Sequence, residues 1–314
     1  MKGVALPFVK TKHFVEKRQR AVFFLMNELG YTQRESQRFI SKGRVLVDGE
    51  KMLKTAGEIE GEIEFIHFEP ITKGLEPTFE EKEFVVFDKP SGVLVHPQTK
   101  RTPYSLIDEL KFQFGRDANI AHRIDQETSG LVLCAKNKIS EREIKMMFQE
   151  RDMKKKYLAM VHGEMKEEMV VEAPLLRSQD QSSAMVRMIV KVHKDGKASK
   201  TSFKPLEYFP QKDMTLVECS PHTGRQHQIR VHLFHVKHTI VGDPVYGQTD
   251  ENLVKFLDKE LTPLERIRNG GASRLLLHAS ELEFELYGKK YLIKSKCEFK
   301  SVAIAAMDVN NFIE

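Results

Sequence analysis

The chain reads as an α+β protein in two parts, a small amino-terminal module and a larger body built on a sheet. Three observations lead there. Residues 20–70 hold two helical periods followed by strand-like alternation. Residues 202–209 and 214–220 alternate apolar and polar side chains on either side of Pro210-Gln-Lys-Asp213, the grammar of an antiparallel sheet. Short apolar runs such as Leu131–Ala135 are interleaved with capped helical stretches. With 314 residues the chain can bury a sizeable core.

The organisation expected is a basic arm over 1–19, a compact module over 20–70, a proline-containing linker over 71–82 and the main domain over 83–314. The charge balance, 50 Lys+Arg against 45 Asp+Glu, is too even to name nucleic acid unless the positive charge is clustered. Cys134, Cys219 and Cys297 lie far apart with no Cys-x-x-Cys pair, so neither a disulfide framework nor a zinc knuckle is suggested. No apolar run approaches the roughly 18 residues of a membrane span, and the first ten residues are too weakly apolar for a signal peptide. A soluble, cytoplasmic monomer without a membrane partner is expected.

In the module, Val22, Phe23, Leu25, Met26 and Leu29 recur at helical spacing and Gly30 closes that helix. Thr32 caps a second helix, with Glu35 at the capping-box position. Arg34, Arg38 and Lys42 then fall at i, i+4 and i+8, along one face. On an isolated helix three such cations are simply solvated surface; with Arg44 just beyond the helix they form a ridge suited to phosphates. Arg44-Val-Leu-Val-Asp-Gly49 reads as a strand entering an Asp-Gly turn, and Ile59–Phe68 as a further strand. This order resembles the alpha-L RNA-binding module named after ribosomal protein S-four, its usual opening altered here to Arg20-Ala-Val-Phe-Phe-Leu25.

The body opens with a strand from Phe84, a Lys89-Pro-Ser-Gly92 turn and a second short strand ending at His96-Pro97. Ser105–Phe114 reads as a helix. Next comes Ala121-His-Arg-Ile-Asp-Gln-Glu-Thr-Ser-Gly130, a loop at the mouth of the buried strand 131–135. It sets the carboxylate Asp125 beside two cationic candidates, His122 and Arg123; taken alone, such a group is more often a structural ion pair than a catalyst. Ser140 and Glu143 suggest a capping box for a helix to about Glu150, followed by Lys154-Lys-Lys156 and a strand from Tyr157. The second dense block, Pro221-His-Thr-Gly-Arg-Gln-His-Gln-Ile-Arg-Val-His-Leu233, is a turn into a helix on which His227 and Arg230 can point into one site. Gly242-Asp-Pro-Val-Tyr-Gly247 is a loop, and Arg274–Phe284 a helical turn running into a final strand.

His122-Arg-Ile-Asp125 with Thr128-Ser-Gly130 resembles the signature of the RluA-type RNA pseudouridine synthases. Lys89-Pro-x-Gly92, Lys155-x-Tyr157, the 221–233 block and the 242–247 loop follow in the same order, so the resemblance spans Arg20 to Phe284. It implies a pseudouridine synthase catalytic fold on a mixed, mainly antiparallel sheet, and cofactor-independent isomerisation of uridine. It also implies roles. Asp125 is nucleophile or base, Tyr157 stacks on the uracil and shuttles a proton, and Arg230 pairs with Asp125. Arg123 displaces the target base, while His122, Lys155, Arg225 and His227 contact substrate. A phenol of ordinary pKa about 10 would be lowered by a cationic pocket. Gln126 departs from the family, which often carries a basic residue there. Large-subunit ribosomal RNA is the expected target, with transfer RNA as the alternative. Two rival readings are a catalytically silent RNA-binding protein and a metal-dependent hydrolase built on His227, His232, His235 and His238. The last lacks a Glu between its histidines and a nearby thiol, so no metal is expected.

Overall fold

The structure, a computed structural model, describes residues 6–177 and 189–312. The chain divides into two compact units: residues 1–73 with 96–112, and residues 74–95 with 113–314. No described helix is long and apolar enough to cross a membrane.

The first unit is built on a four-stranded antiparallel sheet in the order β1 (Phe8–Arg20), β4 (Glu58–Phe68), β2 (Val45–Val47), β3 (Glu50–Met52). Helices α1 (Ala21–Asn27) and α2 (Gln33–Ser41) contribute to its core, where Leu25, Ile40, Val45, Ile59, Ile63 and Phe65 are buried. Thr32 and Glu35 form the expected reciprocal capping box on α2. Asp48 and Gly49 both take positive φ, 52° and 79°, as a two-residue β2–β3 turn requires.

The basic arm is a correction. From Phe8 onward it is a strand, and residues 1–5 lie outside the described residues. Val9, Thr11, His13 and Val15 turn inward while Lys10 and Lys12 point out, so the cations hide a period of two. Those cations are paired across the sheet: Lys10–Glu64 at 3.0 Å, Lys12–Glu62 at 2.7 Å and Arg18–Glu58 at 2.6 Å.

The second unit carries a ten-stranded sheet. Its main path runs β10 (Met169–Glu172), β13 (Lys200–Phe209), β14 (Met214–Pro221), β9 (Lys154–His162), β15 (Leu277–Leu286), β8 (Ser129–Ala135), β6 (Phe84–Lys89), β5 (Pro77–Glu80). β7 (Asn119–Ile120) pairs with β8, and β16 (Lys289–Lys294) with β15, while β11 (Leu175–Arg177) and β12 (Val190–Val192) form a separate two-stranded sheet. Every pairing is antiparallel except β15 with β8. The sheet is thus mixed and mainly antiparallel. Strand β5 falls inside the expected linker, so part of 71–82 belongs to this sheet. No strand follows the Lys89–Gly92 turn, and bends rather than a helical turn precede β15, which is followed by β16 and a helix over Phe299–Met307. The helix over Lys138–Glu150 is capped by Asn137, whose side chain accepts from the Ile139 and Ser140 amides, and not by Ser140.

All seven residues of β8 are buried, which fixes the strand at the centre of the sheet. Where it meets β15 the two backbones come too close for a side chain. Gly130 has φ +110°, and a Cβ there would lie 2.3 Å from the Ala279 carbonyl oxygen. The register runs Gly130, Ala279, Tyr157, Cys219 across four neighbouring strands. Tyr157 therefore sits two strands, roughly 10 Å, from the point where the Asp125 loop enters the sheet.

Candidate active site

The loop carrying Asp125 is held from below by the 89–92 turn. Lys89 is fully buried, and its ammonium donates to three carbonyls, Val93 at 2.7 Å, Pro90 at 2.9 Å and Gln126 at 3.0 Å. Burial pushes its pKa down to about 7, against the opposing pull of Glu127 and Asp125. The Gly92 amide donates to the Gln126 carbonyl, Gln126 Nε2 to the Gly92 carbonyl, and Ser91 Oγ to the Glu127 carbonyl. Gln126 thus ties the loop to the turn.

Asp125 is partly exposed, and Arg230 reaches it from the helix Gln228–His235 (α5), with Nη1 donating to Oδ2 at 3.2 Å. The rest of the guanidinium is taken by Asp243: Nε to Oδ2 and Nη2 to Oδ1, both 2.7 Å. Asp243 Oδ1 also accepts from the Val245 and Tyr246 amides. The loop 242–247 therefore fixes the plane of the Arg230 fork. Burial works against the Arg230 charge, but Asp243 outweighs it and raises the pKa.

The Asp125 carboxyl lies below the usual range. Burial pushes it up, and His227, Arg230 and Arg123 more than offset that. Of these, His227 is itself driven to about 4, by burial first and by Arg230 second. It is uncharged at neutral pH, so the counter-charges Asp125 meets there are those of Arg230 and Arg123. Arg123 is exposed and makes no ion pair among the described residues.

Lys155 lies on β9 two residues before Tyr157. Its ammonium is 5.7 Å from the Phe148 ring, and burial lowers its pKa. A Cβ on Gly224 would lie 3.8 Å from its Nζ, so the 223–225 turn adjoins it. Arg225 is anchored by Nε to the Ala198 carbonyl at 3.2 Å. Buried Gln228 holds that turn, accepting from Thr223 Oγ1 at 2.6 Å and the Arg225 amide at 3.1 Å.

Three expectations are corrected. His122 is not a cation: its Nε2 accepts from the Leu133 amide at 2.9 Å, its ring stacks on Phe148, and burial drives its pKa to about 3. The Tyr157 phenol is raised, not lowered, by burial and then by the charge of Asp125. Arg44 does not extend the exposed ridge of Arg34, Arg38 and Lys42; its guanidinium lies 5.1 Å from both the Phe8 and Phe39 rings, with Nε buried and unpaired. Sequence reading also missed Lys89, Asp243, Tyr246 and Gln228 as site residues. The available signal was their position inside blocks already singled out.

Among the described residues no three His, Cys, Asp or Glu side chains are grouped to hold a metal. Buried His232 is occupied by Thr201, Ser199 and Ala173.

An ionised carboxylate at the mouth of a central strand, braced by a buried arginine and close enough to a tyrosine to raise its pKa, is equipped for nucleophilic or acid–base chemistry without redox. The sequence model of the RNA pseudouridylate synthase family matches residues 83–235. A Helicobacter pylori protein named "Uncharacterized RNA pseudouridine synthase" is 39% identical over 291 residues, 92% of this chain and 94% of its own. The Escherichia coli "Ribosomal large subunit pseudouridine synthase C" is 37% identical over 209 residues, 66% of this chain and 60% of its own. In fold, the chain is similar to human RNA pseudouridylate synthase domain containing 1, with TM-score 0.58 and 24% identity over 77% of this chain and 89% of that one. The chain belongs to the RluA-type RNA pseudouridine synthases, isomerases that act without a cofactor.

Proposed function

We propose that this enzyme isomerises uridine in large-subunit ribosomal RNA, with Asp125 carrying the reaction. The observation that supports the assignment is the Arg230–Asp125 contact, in which a buried guanidinium oriented by Asp243 favours the ionised carboxylate. The ribosomal target is supported by the name and 37% identity of the Escherichia coli relative.

In the proposed reaction the bond from uracil N1 to ribose C1′ breaks, the base turns, and C5 bonds to C1′. C5 loses a proton and N1 gains one, so nothing external is consumed. Asp125 either attacks C1′ or removes the neighbouring ribose proton. Either step uses up its negative charge, which is one of the causes raising the Tyr157 phenol. Tyr157 is thus protonated at the start and more easily ionised once Asp125 has reacted, an order that suits a shuttle for the C5 proton. Exposed Arg123 is suited to filling the gap left by the flipped uridine. Arg34 and Arg38 on α2 and Lys42 at its C-cap are assigned to RNA phosphates, and Lys155 and Arg225 to the substrate strand beside Tyr157.

Mapping pseudouridines in ribosomal and transfer RNA, from cells with and without the gene, tests the target. Loss of one or more large-subunit positions is expected; loss confined to transfer RNA would overturn the ribosomal assignment.

A further inference from the structure

Tyr246 is buried and bears on the site through three contacts. Its ring lies 5.1 Å from the Arg230 guanidinium, its amide donates to Asp243 Oδ1 at 3.0 Å, and its Oη is 2.9 Å from His227 Nδ1. Oη also accepts from the Val190 amide at 3.2 Å. Among the described residues the phenol proton has no other acceptor than His227 Nδ1. With the phenol as the donor, Nδ1 is the unprotonated ring nitrogen and the imidazole proton sits on Nε2.

His227 Nε2 is 3.8 Å from Asp125 Oδ2, the oxygen that Arg230 already contacts at 3.2 Å. The opposite tautomer would turn a lone pair toward that carboxylate. His227 stands at the start of α5 in the left-handed region, φ +54°, an uncommon conformation for a non-glycine residue. The charged groups facing the ring are Asp125, Arg230, Asp243 and Arg123. Asp125 Oδ1 has no partner among the described residues.

We propose that Tyr246 is a positioning residue that locks His227 in its Nε2-protonated tautomer, giving Asp125 Oδ2 a second donor and leaving Oδ1 as the oxygen that reacts. This rests on the reading of Asp125 as the group that carries the reaction. The proposal requires the 3.8 Å separation to shorten to hydrogen-bond length in the reacting complex. A neutral donor suits the position, because it orients the carboxylate without adding a second full charge beside Arg230.

Two measurements test it. The first is nitrogen-15 NMR of the histidine-labelled protein between pH 6 and 8, about two units or more above the His227 pKa, with His227→Gln identifying the resonance. Wild type should show His227 protonated at Nε2 alone, and Tyr246→Phe should show mixed tautomers. The second is a double-mutant cycle on single-turnover rate. Tyr246→Phe should lower the rate about tenfold in the His227 background. In the His227→Gln background, where residue 227 has no tautomer to lock, it should have no effect. Protonation of Nδ1 in wild type, or an equal loss in both backgrounds, would overturn the proposal. The NMR result needs no turnover, so it separates this inference from the assignment of Asp125 itself.

Discussion

Asp243 grips Arg230 at two points, Nε and Nη2, both at 2.7 Å, and leaves Nη1 for Asp125 at 3.2 Å. The arginine thus bridges one carboxylate that is fully buried and one that is open to substrate. The buried partner sets the geometry, and the open partner is the group proposed to carry the chemistry.

Asp243→Asn breaks that arrangement while keeping its shape. It removes the charge of a buried ion pair, a change that typically costs about 3–5 kcal/mol, and it frees the Arg230 fork to turn. Urea unfolding should show the stability loss. The single-turnover rate, measured where the variant is still folded, should fall at least tenfold. A stable variant with a wild-type rate would mean that Arg230 is held by its helix alone.

The buried histidines predict how stability depends on pH. His227 and His122 titrate near 6.5 when unfolded but near 4 and 3 when folded. Their contribution is therefore fully present above pH 6.5 and is lost as pH falls toward the folded values. Each adds a slope of at most about 1.4 kcal/mol per pH unit. Stability from urea melts should fall between pH 7 and pH 5, a window above the ordinary Asp range. His122→Gln keeps an acceptor for the Leu133 amide and should flatten the fall. An unchanged slope would contradict the neutral, buried state assigned to His122.

Arg34 and Arg38 on α2, and Lys42 at its C-cap, are exposed. Replacing all three by Gln should weaken RNA binding and reduce the log–log salt slope by about 0.7–0.9 for each phosphate that is no longer neutralised. Fluorescence anisotropy on one RNA at several salt concentrations reads this. An unchanged slope would make the face solvated surface.

Local signals were legible in the sequence. The Thr32–Glu35 capping box, the Asp48-Gly49 turn, the buried run 131–135 and the meeting of Asp125 with Arg230 all follow from short patterns or from the family resemblance. Strand β1 was hidden because its outward positions include Lys10, Lys12 and Arg18, which read as a tail until Glu64, Glu62 and Glu58 pair with them. Lys89 was missed because lysines are rarely buried; only the fold brings three carbonyls around its ammonium. Arg44 and His122 carry charge-bearing groups whose roles were reversed by burial, against two rings in one case and under a backbone amide in the other.

The most direct test is Asp125→Asn, assayed by tritium release from uracil C5 in a single turnover. Asparagine preserves the shape and can still lie beside Arg230, but it is neither nucleophile nor base. Release should be abolished while RNA binding and the thermal melt stay near wild type. A rate within tenfold of wild type would contradict the central role given to Asp125.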